Sequence, residues 1–432
     1  MIAALLLAAC HMDATPAAPE AMRKPIALDW KAGRSHEKAT GDQQAQDYHD
    51  QGLAYLDSHA FVEAARSFQE ALRLAPSTPL TLLRLSEAYR GAGFAPESAA
   101  YVEQATTAAE RSPRARLWVE ADRLAEQRAG ASGKQRRRLN ELSQRAIDAL
   151  VETDSGDGRA RIARGDSLEG AAAIAEYRAA AKLDSKSPGA HHRLAHALMD
   201  AGDFEAAIEA VRAYQAAAPH WPHGAHLLGH LMPLVGKWTE AREGLESIAE
   251  KDAHGLTLLA AMRARDGDRT GAEPLAAEAC RLGRCAGLLT FLLEGARFDE
   301  VLEAAAAARS STLREERCAA ETSAGFALIE KPVEGDPRRA FKSARLVCKD
   351  GPGRIDLELL GALLETRSGK AKNLEPRILS LVEEAVRRPE WEHWVPLLSY
   401  YTHAILHAGH GEIAAEVETR LTSIDSGRTG QP

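Results

Sequence analysis

Seven positions recur at an offset of 34 residues. Leu194, Ala195, Leu198, Gly202, Phe204, Ala207 and Val211 are followed by Leu228, Gly229, Met232, Gly236, Trp238, Ala241 and Leu245. That offset is the length of one antiparallel helix pair with its turns, a unit that cannot bury its apolar face alone and must stack on neighbours. Ala207 and Ala241 are the small residues of the two second helices. No segment shows sustained alternation of β-branched and aromatic residues, whereas helical spacing of apolar residues runs throughout. The implied fold class is all-α, an α-solenoid of helical hairpins.

A further copy opens the chain. Tyr48, Gly52, Tyr55, Phe61, Ala64, Phe68, Ala71 and Pro76 resemble the tetratricopeptide repeat in order and spacing. Gly52 and Ala64 are small where two helices cross, and Tyr55, Phe61 and Phe68 fill the space between hairpins. A weaker copy carries Leu85, Ser86, Tyr89, Ser98, Val102 and Ala105. These make residues 45–112 an N-terminal repeat pair. Residues 113–154 lose the register and read as an irregular helical insertion, with Arg116–Arg128 and Gln135–Val151 as one longer hairpin. The central array covers 155–310, degenerate hairpins cover 311–423, and 424–432 reads as a disordered tail. The array amounts to on the order of ten or eleven hairpins.

The N-terminus reads as an address. Ile2–Ala9 is apolar but too short to span a bilayer as a helix. Leu7-Ala8-Ala9-Cys10 resembles the lipobox of bacterial lipoproteins, although no Lys or Arg precedes the apolar run. The resemblance implies a signal peptide over 1–10, a lipid anchor on Cys10 and membrane attachment. With His11 rather than Asp after the cysteine, it implies an outer-membrane lipoprotein facing the periplasm. Residues 11–44 carry Pro16, Pro19, Pro25, Gly33 and Gly41 among polar residues and read as a flexible tether.

With Cys10 set aside, Cys280, Cys285, Cys318 and Cys348 allow three pairings. Cys318 lies near the start of one expected helix and Cys348 near the end of the next, ends that meet in a hairpin. Cys280 and Cys285 flank a helix break at Gly283. The expected disulfides are therefore 280–285 and 318–348, the alternative being four buried thiols. The net charge of −8 is spread out. The one dense basic cluster, Arg136–Arg138, reads as a solvated helix face, so nucleic acid is not an expected partner. No nucleophile elbow, phosphate loop, haem-attachment motif or His-Glu-x-x-His is present, and enzymatic activity is not expected.

The chemistry-bearing feature is a repeated histidine pair: His192 and His196, then His226 and His230. Residues four apart share a helix face, and these fall at repeat positions 5 and 9, which in tetratricopeptide proteins line the concave groove. The packed stripe is taken by Leu194, Leu198 and Leu228. The four imidazoles are therefore expected as a quadrilateral on the groove wall. Such a set suits a divalent transition metal. His191 and His223 lie nearby, His254 can contribute from the following repeat, and His403 and His407 repeat the spacing near His393 and His410. Residues 187–240 also resemble a histidine-rich bacterial subfamily of tetratricopeptide proteins, departing at Leu228 and Gly229, where that subfamily has Pro-Ser. Three readings stand: metal binding, contact with an acidic peptide, or a structural network joining helices. The leading function is a membrane-anchored scaffold or adaptor that takes protein or peptide partners in its groove. The alternative is a periplasmic metal-binding protein of zinc or copper type.

Overall fold

The computed structural model describes residues 19–248, 253–311, 313–331, 334–348, 352–369 and 374–385. These contain twenty α-helices and, among the described residues, no strand. No helix among them is long and apolar enough to cross a membrane. Cys10 and the signal segment expected before it, the hairpins expected after residue 385, His393, His403, His407, His410 and the expected tail lie outside the described residues. The chain divides into two compact units, residues 1–224 and 225–432.

In the first unit ten helices pair as five hairpins. They are α1 (Gln43–Asp57) with α2 (Phe61–Leu74), α3 (Pro79–Gly91) with α4 (Ala95–Ala108), and α5 (Pro113–Gly130) with α6 (Gly133–Thr153). Then come α7 (Gly158–Asp166) with α8 (Gly170–Leu183), and α9 (Pro188–Asp200) with α10 (Phe204–Ala217). Starts are written in the sequence. Asp42, Ser112, Asp157 and Asp203 each accept a hydrogen bond from the backbone N–H three residues on, which satisfies an orphan donor of the first turn. Pro79, Pro113 and Pro188 stand at the first helical position, where no N–H is needed. The insertion over 113–154 is the longest hairpin, of 18 and 21 residues. Arg136, Arg137 and Arg138 are exposed on it.

Close helix crossings explain the glycines. A Cβ on Gly52 would lie 2.6 Å from the Phe68 ring, and one on Gly165 would lie 2.5 Å from Tyr177. Gly52→Ala should therefore cost about 1–3 kcal/mol by overpacking, seen as a lower Tm with helical circular dichroism retained.

The tether expected over 11–44 does not hold from residue 19 onward. Met22, Ala32, Ser35 and Glu37 are all buried, and a short 3-10 turn forms at Ala21–Arg23. Proline, glycine and polar residues signal that a segment builds no core of its own. They do not exclude partners supplied by helices, and here α1, α2 and α3 supply them.

The second unit holds most of α11 (His223–Leu234), then α12 (Trp238–Glu246), α13 (Ala253–Arg265), α14 (Arg269–Arg281), α15 (Ala286–Glu294) and α16 (Phe298–Ala308). It continues with α17 (Arg314–Glu330), α18 (Pro337–Val347), α19 (Pro352–Arg367) and α20 (Leu374–Ala385). Cys280 is disulfide-bonded to Cys285 across the turn between α14 and α15, and Cys318 of α17 to Cys348 just past α18. Gly353 is pressed against the second bridge, since a Cβ there would fall 2.2 Å from the Cys318 Sγ.

Two buried carboxyls set a pH dependence. Burial pushes Asp356 up to about 7. Burial also pushes Glu316 up to about 7, against the pull of Arg284 and of hydrogen bonds from the Cys285 and Ala286 N–H groups. A carboxyl raised in the folded state favours folding below its unfolded pKa of about 4, and that advantage is lost as pH rises toward 7. Unfolding in urea should show Asp356→Asn stabilising the second unit at pH 8 and leaving it nearly unchanged at pH 4.

Candidate metal centres

Three imidazoles converge in the first unit. His192 and His196 project from one face of α9, one turn apart, and His223 comes from the first residue of α11. The Nε2 of His192 lies 3.0 Å from the Nε2 of His196 and 3.0 Å from the Nε2 of His223. All three side chains are buried. The outer shell is built by α1 and α10. α9 packs on α1, which places the Asp57 carbonyl 2.8 Å from the His192 Nδ1. A carbonyl only accepts, so Nδ1 carries the proton and Nε2 presents its lone pair inward. The Tyr214 ring stacks on His192 at 5.4 Å, and its hydroxyl meets the Ser58 Oγ at 2.9 Å. Burial, then the neighbouring His223 and His196, holds His192 well below the usual imidazole range. It is neutral at physiological pH, the form that ligates a metal.

The second unit repeats the arrangement. His226 and His230 of α11 meet His254 from the second residue of α13. The Nε2 atoms of His226 and His230 are 3.3 Å apart, and the His254 ring lies 4.8 Å from each of theirs, centroid to centroid. These three are also buried. In each triad one ligand atom per residue lies within 4.8 Å of the others.

What can such a cluster do? A tetrahedral ion with nitrogen ligands at 2.0–2.1 Å holds those nitrogens about 3.3 Å apart. The observed Nε2 separations lie close to that. Without an ion the arrangement is electronically awkward, because His192 offers one inward lone pair to two neighbouring nitrogens. A cation at the centre would take a lone pair from each ring.

Residues 169–231 match the family model described as tetratricopeptide repeat. That segment is tetratricopeptide repeat. It includes five of the six clustered histidines, all but His254. Similar solved structures include a tetratricopeptide repeat protein from Parabacteroides merdae, at 16% identity and TM-score 0.34 over 56% of this chain and 94% of that one. Yeast Tom70 is another, at 11% identity and TM-score 0.42 over 88% and 93%. No curated protein sequence matches the chain.

The tetratricopeptide register explains both triads. Ala207 and Ala272 each lie four residues after a capping Asp, Asp203 and Asp268. With Ala207, Ala241 and Ala272 equivalent, each centre takes positions 5 and 9 of one repeat and position 2 of the next. His223 follows His192 by 31 residues. His254 follows His226 by 28, because the intervening repeat is three residues shorter. The structure therefore differs from the expected quadrilateral. Each of the pairs His192/His196 and His226/His230 is completed by its own third histidine, and all six rings are buried rather than spread on an open wall. Position 2 was the missing signal. His191 joins neither cluster, its Nε2 lying 3.0 Å from the Ser185 carbonyl.

Proposed function

We propose that this chain is a tetratricopeptide scaffold that carries one divalent transition-metal ion in each of two three-histidine centres. The observation that carries the reading is the inward convergence of Nε2 atoms, repeated in two units with the same register. Neutral imidazole favours Zn²⁺, Cu²⁺ or Ni²⁺ over hard ions such as Mg²⁺ and Ca²⁺. Stacked helical hairpins form a protein-interaction scaffold, so the ions are held within a partner-binding protein. The lipobox resemblance at Cys10 and the two disulfides support an outer-membrane lipoprotein facing the periplasm, where thiols oxidise.

The test is metal content after stripping with chelator and reloading with Zn²⁺, on protein without a histidine tag. Two ions per chain are expected in the wild type, one each in His223→Ala and His254→Ala, and none in the double variant. A wild type that stays empty, or variants that load as well as it does, would sink the reading.

A further inference from the structure

Residues 34–38 run as an extended strap over the first helices of the first unit, entered through a turn that closes at Gly33. Burial alternates along it: Ser35 and Glu37 are buried, while Arg34, His36 and Lys38 are exposed. That is the period of an extended chain lying on a surface. Its polar groups bond to helix side chains. The Gln46 Oε1 accepts from the N–H of Ala39 at 2.9 Å and of Thr40 at 3.1 Å, while its Nε2 donates to the Glu37 carbonyl at 2.8 Å. Arg114 donates to the Lys38 carbonyl at 3.2 Å. Gln51 repeats the device upstream, accepting from the N–H of Asp29 and Trp30 and donating to the Ala27 carbonyl.

Side chains set the register of the strap. Ser35 donates to the Asp57 carboxylate at 3.0 Å. Glu37 is received in bidentate fashion by Arg84, at 3.0 and 2.8 Å. The His49 Nε2 stands 3.4 Å and the Arg114 Nη2 3.6 Å from the same carboxylate, and Arg84 rests over the Trp118 ring at 4.3 Å. Gly33 threads past α10, where a Cβ would lie 2.4 Å from the Ala217 carbonyl. Side-chain amides reading a main chain, with one carboxylate seated in a cationic pocket, are the means by which a protein holds a peptide.

We propose that this face is a receptor for an extended segment that seats one glutamate in the cationic pocket, and that residues 33–40 are its resident occupant, displaced by a partner segment of the same chemistry. The partner places Glu against Arg84, His49 and Arg114, with small residues two and four positions earlier, as Ser35 and Gly33 are. This does not rest on the metal reading.

The probe is a labelled peptide of residues 31–42, followed by fluorescence anisotropy on the full chain. A tethered occupant competes at an effective concentration of about millimolar. The Ser35→Ala/Glu37→Gln variant, with its own strap loosened, should therefore bind the peptide about tenfold or more tightly than the wild type. A peptide with Gln in place of Glu37 should bind neither protein. A helical variant that ignores the peptide, or takes both peptides equally, overturns the proposal. Hydrogen exchange on the wild type decides if the variant fails to fold. The N–H groups of Trp30, Ala39 and Thr40 should exchange faster than the body of α1, and exchange only together with α1 overturns the proposal.

Discussion

Glu37→Ala will cost about 3–5 kcal/mol of strap docking, the range for removing one partner of a buried ion pair. Glu37 is wholly buried, and the Arg84 side chain is only 3% exposed. The variant leaves a desolvated guanidinium with Glu87 as its remaining carboxylate. A pair at the surface would be worth about 0–1 kcal/mol, so burial sets the size of this effect. Burial by itself would raise the Glu37 carboxyl, but Arg84 and His49 hold it well below the usual carboxylate range. A depressed folded pKa contributes stability above the unfolded value, lost as pH falls through the folded one. The strap should stay docked at mildly acidic pH and release only in stronger acid. Tryptic cleavage after Arg34 and Lys38 measures it: slow in the wild type, fast in Glu37→Ala, with helical circular dichroism retained. Equal cleavage rates would show that the ion pair contributes nothing to docking.

Loading the histidine centres will stabilise the chain by about 2.7 kcal/mol per centre at free ion 100-fold above Kd. Each triad lies within one unit, so the two gains should be separable. In calorimetry of stripped and Zn²⁺-loaded protein, His223→Ala should lose the gain of the first unit and His254→Ala that of the second. The first centre is pre-organised, because the Asp57 carbonyl fixes the His192 tautomer. A Tm that ignores Zn²⁺ would mean that the rings serve only to join helices.

The hairpins were legible because their cause is local. Glycine at a crossing, an aromatic one helix later and an acid before the first turn all act within one 34-residue unit. The histidine pairs were legible for the same reason, since residues four apart must share a helix face. The third histidine of each cluster was not. His223 is three residues from His226 and by sequence belongs with it. Yet its side chain completes the preceding repeat, because a first-turn residue of one first helix meets positions 5 and 9 of the helix before.

The strap shows the same division from the other side. Its composition reads as a flexible tether, yet Met22, Ala32, Ser35 and Glu37 are buried. It is silent about Gln46, Gln51 and Arg84, which lie on other elements and satisfy the strap's backbone and carboxylate. Local sequence determined the helices, their pairing and the faces that bear the imidazoles. Only the tertiary structure decided which histidines share a centre and where the N-terminal segment lies, because both depend on side chains that stacking brings together across repeat boundaries.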